Sequence, residues 1–152
     1  MGLVYDSNIE AVSVSAAQDL FELLAPSDAA VLIHSLTVEQ SNVDTGEQLR
    51  ITCSRITGAP TSGSGGGTIT PTPRVSGGPA AGSTVERNNT TQLSGGTAVK
   101  VADRGFNTLA GLEIVFDPPI ELAPSTRFLV SIPAPDTAIT VSATLTHEEI
   151  GG

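Results

Sequence analysis

Short runs of alternating apolar and polar residues, separated by proline and glycine, recur along the chain and constrain its fold most strongly. Alternation with a period of two places apolar side chains on one face of an extended segment, which is the pattern of a half-buried β-strand. Leu49–Thr57 alternates over nine residues, with Leu49, Ile51 and Cys53 on one face. The other predicted strands are Ile9–Ser15, Val31–Gln40, Thr97–Ala102, Leu112–Phe116, Arg127–Ile132 and Ala138–Thr146.

One further segment, Ala16–Leu24, contains good helix formers and ends before Pro26. Its residues also alternate around Phe21, and the segment is short for an independent helix, so a strand is slightly favoured over a helix. Prolines lie between the runs, where a missing N–H removes no sheet hydrogen bond. We therefore predict an all-β protein of roughly eight or nine short strands, folded as an antiparallel sandwich that is jelly-roll-like.

Glycine is concentrated between residues 58 and 96, which hold 10 of the 16 glycines. From Gly58 to Gly82 the only charged residue is Arg74. A segment with so little to bury is predicted to form a long Gly/Pro-rich loop on the surface. Two interpretations remain open, since the loop is either mobile or ordered only against a neighbouring subunit.

A length of 152 residues suits a single domain with a sizeable core. A compact domain near this length buries roughly 68–70% of the surface that its unfolded chain exposes. We interpret residues 1–152 as one β domain, with an N-terminal arm at 1–8, the loop at 58–82 and a C-terminal tail at 148–152.

The chain carries 7 basic and 16 acidic residues, for a net charge of −9, and Lys100 is its only lysine. This balance excludes a nucleic-acid binder that neutralises phosphates, and it disfavours attraction to an anionic membrane. No apolar run approaches the roughly 20 residues that span a bilayer, and no secretory signal is visible, so we expect a protein made without export. Cys53 is the only cysteine, which leaves no intrachain disulfide.

Residues that carry catalysis or bind metals are sparse in this sequence. His34 lies in an apolar run and is interpreted as a hydrogen-bonded strand histidine, whereas His147 is interpreted as a solvated side chain. A metal site needs three or four converging ligands, which two distant histidines and one cysteine do not supply. Cys53 is in phase with core positions, and the phenylalanines are assigned to the core. We therefore predict no catalytic, cofactor-binding or metal-binding residues and no enzyme activity.

The glycine-, threonine- and asparagine-rich blocks of the chain, taken in order, resemble a group of small tailed-bacteriophage proteins. The blocks are Val14–Leu23, Thr61–Gly66, Thr70–Arg74, Ala80–Gly82, Asn88–Thr91, Gly96–Ala98, Phe106-Asn107 and Glu148–Gly152. The resemblance implies a virion structural protein, most like a capsid decoration (cement) protein. Many such proteins are jelly rolls or β-tulips that sit on the outer shell as dimers or trimers, where they hold neighbouring major capsid protein subunits together.

From this resemblance we expect a homo-oligomer on the outer capsid surface, made in the bacterial cytoplasm, with the major capsid protein as partner and with no nucleic acid or membrane bound. A tail or head–tail connector component, or a surface carbohydrate-binding module, are the alternatives. The N-terminal arm and the Gly/Pro-rich loop are expected to make the assembly contacts. The expected contact residues are Leu3, Val4, Tyr5, Gly63, Gly65, Ile69, Pro71, Pro73, Arg74 and Val75. Deletion of Gly63–Gly78 is expected to leave a folded domain that no longer binds particles.

Overall fold

Eleven β-strands and no helix form the described part of the chain, which comprises residues 2–42 and 46–151 of a computed structural model. Every strand that the alternation predicts is present, and Ala16–Leu24 contains a strand rather than a helix. The strands are β1 Leu3–Val14, β2 Gln18–Leu24, β3 Ala29–Gln40, β4 Gln48–Thr57, β5 Gly67–Ile69, β6 Thr72–Pro73, β7 Thr84–Asn89, β8 Thr97–Asn107, β9 Leu112–Leu122, β10 Arg127–Ile132 and β11 Ile139–Gly151.

The strands form two antiparallel sheets that pack face to face as a β-sandwich. One sheet has five strands in the order β6-β1-β11-β3-β9, and the other has six in the order β5-β7-β2-β10-β4-β8. The predicted all-β sandwich is therefore confirmed, while the jelly-roll-like connectivity stays a prediction. β8 and β9 follow each other in the chain but lie in different sheets, at the same side of the sandwich.

A single cluster of buried apolar side chains fills the space between the sheets, as the alternation predicts. In β10, Phe128, Val130 and Ile132 are buried while the residues between them are partly exposed. The Cys53 thiol belongs to this cluster, and burial raises its pKa to about 12, so the predicted core role of this cysteine is confirmed. All four phenylalanines are buried in the same cluster, with Phe116 and Phe128 packed edge to face.

The Gly/Pro-rich segment at 58–82 adds strands to both sheets instead of forming a free loop. β5 pairs with β7, and β6 pairs with β1. Backbone contact this close requires glycine, because a Cβ on Gly66 would collide with the carbonyl oxygen of Arg87. The segment is therefore ordered within one chain, through main-chain pairing that its composition does not reveal.

The two ends that were expected to form an arm and a tail lie instead in paired strands. Leu3–Asn8 is the first part of β1 and pairs with β11, while residues 148–151 are the last part of β11 and pair with β3. Met1 and Gly152, the outermost residues of the expected arm and tail, lie outside the described residues. Pairing on both sides of β11 satisfies its backbone groups, which is why it extends past the alternating stretch.

Candidate functional site

The ten residues expected to make assembly contacts differ widely in exposure. Three of them are buried, which removes them from any contact surface: Tyr5, Gly63 and Pro71. Leu3, Val4, Ile69 and Pro73 are partly buried, whereas Gly65, Arg74 and Val75 are exposed. Tyr5 lies on β1, which pairs with β11 on one side and with β6 on the other, whereas Gly63 lies against Glu22 and Thr91.

Pairing of β6 with β1 brings the two predicted contact segments together at one place. The backbone N–H of Arg74 donates to the carbonyl oxygen of Val4 at 2.9 Å. Its guanidinium donates to both carboxylate oxygens of Asp6, at 2.8 and 3.0 Å, in the bidentate geometry that favours arginine. Burial acts to raise the pKa of the Asp6 carboxyl, but hydrogen bonds from Arg74 and Thr146 outweigh it and hold that pKa below its usual range.

A groove of about 490 Å³ lies beside this junction, across β1, β11, β3 and β9 of the five-stranded sheet. Its apolar part includes Val4 and Val115, and Val115 is 66% exposed. Its charged part includes Arg74 and the carboxylates of Glu113, Asp117 and Glu148. We call this surface the sheet groove, and it combines apolar area with charges of both signs.

A side-chain hydrogen bond across two neighbouring strands lies in the sheet groove. Nε2 of His34 lies 2.9 Å from Oε2 of Glu148, and both side chains are partly exposed. The sequence interpretation of His34 as a hydrogen-bonded strand histidine is therefore confirmed. A regular alternation along β11 and β3 is interrupted here by a register shift between Thr146 and His147. Because of this shift, the alternation in the sequence does not predict which face of the sheet the side chains after Thr146 occupy.

A second cluster, which we call the buried histidine cluster, contains Ser83, His147 and Glu149. The Ser83 hydroxyl lies 3.0 Å from Nε2 of His147, and Glu149 accepts hydrogen bonds from the backbone N–H groups of Gly82 and Ser83. Tyr5 stacks on the imidazole with ring centroids 5.5 Å apart. His147 is fully buried, so the interpretation of this histidine as solvated is wrong.

Residue types alone would allow the buried histidine cluster to be read as a nucleophile, a base and an acid. The geometry differs, because the serine and the glutamate both lie on the Nε2 side of the ring, the glutamate at 3.9 Å. In a working triad the acid holds Nδ1, and the nucleophile is open to substrate. Nδ1 of His147 has no hydrogen-bond partner among the described residues, and Ser83 is buried. The cluster therefore fastens the segment around Ser83 to β11.

A third polar cluster lies under the glycine-rich segment, on β2. Every residue from Gln18 to Leu23 is buried, including the carboxylates of Asp19 and Glu22. Glu22 accepts a hydrogen bond from the backbone N–H of Gly63 at 3.0 Å and forms an ion pair with Arg127. The sequence analysis missed this cluster, whose only signal is a pair of acids inside an otherwise apolar strand.

Asp19 holds the segment that follows β7 in place, as Glu22 holds the glycine-rich segment. It accepts hydrogen bonds from the backbone N–H of Leu93 at 2.7 Å and from the hydroxyl of Ser131 at 2.8 Å. Burial raises the pKa of Asp19 in spite of these hydrogen bonds, which act to lower it. The two carboxylates of β2 thus hold two irregular segments against the outside of the six-stranded sheet.

Charge is divided unequally between the two sheets. The strands of the five-stranded sheet contain eight acidic residues and neither lysine nor arginine: Asp6, Glu10, Glu39, Glu113, Asp117, Glu121, Glu148 and Glu149. The strands of the six-stranded sheet contain four acidic residues and six of the seven basic ones: Arg50, Arg55, Arg87, Lys100, Arg104 and Arg127. The sandwich therefore has an acidic layer and a mildly basic layer.

The chain matches no protein-family model, no curated protein and no solved structure. Across residues 2–42 and 46–151, no helix has the length and apolar character needed to cross a membrane. Within the same residues, no three side chains of the kind that ligate metals are grouped so as to hold an ion. The sheet groove, which joins the two predicted contact segments, is the candidate site that the geometry supports best.

Proposed function

We propose that this chain is a non-enzymatic bacteriophage structural protein that decorates the outside of the capsid and stabilises it by bridging major capsid protein subunits. The observation that carries the proposal is the sheet groove, where both segments expected to make assembly contacts meet on paired strands. A surface built on paired strands holds its side chains in place before binding, which lowers the entropic cost of association.

The chemistry of the sheet groove fits a protein segment as its ligand. Val115 offers exposed apolar area, while Arg74 and Glu113 can pair with charges of either sign on a partner. A chain with a net charge of −9 that lies outside the shell also keeps clear of the packaged DNA, whose phosphates would repel it. These features support a position on the outer shell.

A non-catalytic role is supported by the surroundings of the titratable groups. The Ser83 hydroxyl, the His147 imidazole and the Glu22 carboxylate are each buried and hydrogen-bonded to another part of the chain. A catalytic group must reach a substrate in a cleft, with its base or acid arranged around the reacting atoms. Each of these groups instead stabilises the fold.

The alternatives are a tail or head–tail connector component and a surface carbohydrate-binding module. Stacking on sugar rings needs an exposed aromatic face, yet each of the five aromatic residues, Tyr5 and the four phenylalanines, is at most 9% exposed. The carbohydrate alternative is therefore the weaker one. The tail and connector alternatives use the same kind of contact surface and differ from decoration in copy number.

Copy number in purified particles separates these roles. We expect quantitative mass spectrometry of sedimented particles to find this chain at a number comparable to that of the major capsid protein. A few copies per particle would instead support the tail or connector role. Absence from the particles would overturn the whole virion proposal.

A single substitution tests the sheet groove. Val115→Asp places a charge on exposed apolar area, and we expect it to weaken binding to undecorated capsids by about tenfold or more, the equivalent of roughly 1.4 kcal/mol. The matched control is Leu109→Asp, because Leu109 is 64% exposed and lies outside the groove. Equal binding by both variants and the unmodified chain would refute the groove as the contact surface.

The structure indicates that deletion of Gly63–Gly78 would damage the fold and would not simply remove a contact surface. This deletion removes β5 and β6 and takes away the N–H that Gly63 donates to Glu22. Loss of particle binding would then reflect damage to the fold as much as loss of a contact. Substitutions at exposed positions are the sharper test.

A further inference from the structure

One side of the sandwich is formed by two strands that each have a neighbouring strand on one edge alone among residues 2–42 and 46–151. β8 ends the six-stranded sheet and has β4 as its neighbour, while β9 ends the five-stranded sheet and has β3 as its neighbour. The two are joined by residues 108–111 and lie near each other. The outer edge of such a strand presents unpaired N–H and C=O groups, which are able to pair with another chain.

The two edges carry opposite charge. β8 and β4 together contain four exposed basic residues: Arg50, Arg55, Lys100 and Arg104. Their one acid, Asp103, forms ion pairs with Arg50 and Lys100, which leaves this edge with a net positive charge. β9 and β3 together contain four exposed acids and neither lysine nor arginine: Glu39, Glu113, Asp117 and Glu121. We call this side of the molecule the open flank.

A cleft of about 330 Å³ lies in the open flank between the sheets. Arg55 and Val99 line it from the six-stranded sheet, and Glu121 lines it from the five-stranded sheet. Val99 is 48% exposed. The cleft therefore offers apolar area between a basic rim and an acidic rim.

We propose that the open flank docks a second copy of this chain, in a symmetric dimer that places β8 of each copy beside β9 of the other. A two-fold axis that runs along the strands between the sheets produces this arrangement twice, as an isologous interface requires. Each contact then joins a basic edge to an acidic one. The chain reverses direction between β8 and β9, so the strands that meet are antiparallel. Pro118 and Pro119 have no N–H to donate, so main-chain pairing is confined to residues 112–116 of β9, and the charged side chains carry the rest of the contact.

The distribution of charge favours this two-fold axis over an axis perpendicular to the sheets. A two-fold axis perpendicular to the sheets would place β8 beside β8 and β9 beside β9. The acidic edge formed by Glu113, Asp117 and Glu121 would then face the same acidic edge of the other copy, and like charges in direct contact across an interface are destabilising. The same complementarity favours a second copy over an unrelated protein, because one surface supplies both partners of every contact.

The proposal is tested by reversing the charge of each edge separately. The first variant carries Lys100→Glu with Arg104→Glu, and the second carries Glu113→Lys with Glu121→Lys. Sedimentation equilibrium should show a dimer for the unmodified chain and a dissociation constant raised about tenfold or more for either variant alone, because both contacts then join like charges. An equimolar mixture should recover the dimer, since both contacts of the mixed dimer again join opposite charges.

A control variant separates this interface from a general effect of net charge. Glu10→Lys with Asp136→Lys makes the same change in net charge as the second variant, at exposed positions on β1 and beyond β10. We expect this control to dimerise like the unmodified chain. A monomeric unmodified chain, or reversed variants that dimerise unchanged, would overturn the proposal.

Recovery of the dimer in the mixture also guards against a variant that fails to fold. If either variant is unfolded by circular dichroism, the salt dependence of the unmodified dimer decides instead. The dissociation constant should rise steeply with ionic strength, and a constant value would overturn the interface. The inference does not depend on the proposed function, because the oligomeric state is measured on the isolated chain without particles.

Discussion

Replacement of Glu22 by alanine is expected to lower the free energy of unfolding by about 3–5 kcal/mol. The Glu22 side chain is 1% exposed, and it pairs with Arg127 while accepting the N–H of Gly63. Its removal leaves a guanidinium that is only 18% exposed without its carboxylate, and an N–H without its acceptor. Denaturant unfolding followed by circular dichroism measures the change.

A second variant shows how much of this loss of stability comes from the charge of Glu22, and a third variant serves as a control. Glu22→Gln keeps an acceptor of similar size for Gly63 but removes the charge opposite Arg127, so we expect an intermediate loss of stability. Glu10→Ala is the matched control, since Glu10 is exposed on β1 and its removal should change stability by about 0.5 kcal/mol or less. A loss below about 1 kcal/mol for Glu22→Ala would contradict the view that Glu22 anchors the glycine-rich segment.

Stability is expected to fall as the pH is lowered from about 6.5 to about 4, because of His147. Burial lowers the pKa of His147 to about 4, with nearby carboxylates opposing the shift. The folded chain therefore keeps this imidazole neutral, while the unfolded chain binds a proton below about 6.5. The sign follows directly, since protons bound by the unfolded state alone favour unfolding, and the loss reaches about 3 kcal/mol.

Free energies of unfolding measured at several pH values test this effect. His147→Phe keeps a ring for Tyr5 to stack on and should remove the slope between about pH 6.5 and 4. Leu109→Phe serves as the matched control, because it introduces the same ring at a position that is 64% exposed and leaves His147 in place, so the slope should be unchanged. The pKa values of Asp6 and Glu149 are lowered by their hydrogen bonds from 3.8 and 4.5, so the stability that these carboxylates contribute is lost only at the acidic end of this range and below it. An unchanged slope in His147→Phe would contradict the assignment.

The alternation in the sequence predicted the strands and the core because both depend on local order. A period of two decides which side chains share a face, and Phe128, Val130 and Ile132 follow it without exception. The same pattern placed Cys53 in the core. It failed for His147, because the burial of that residue depends on Ser83 and Tyr5, which are far away in the chain.

The sequence predicted which segments of the chain form the candidate site, but it did not predict which of their side chains face outward. Composition and resemblance indicated the N-terminal residues and residues 58–82, and the structure brings the two segments together where Arg74 meets Asp6. Neither feature predicts which side chains face outward. Tyr5 and Pro71 were expected to make contacts and are buried, whereas Val115 was not expected and is exposed in the sheet groove.

By itself, the sequence determined the all-β class, most of the strands and most of the core, because these follow from the period of apolar residues along the chain. The tertiary structure alone decided the fate of the glycine-rich segment, whose order comes from main-chain pairing and from the buried carboxylate of Glu22. The tertiary structure also decided which charged residues lie together at the two edges of the open flank. Lys100 and Glu121 lie on consecutive strands, but the sequence does not show that these strands end different sheets at the same side of the sandwich, which makes the two residues parts of one surface.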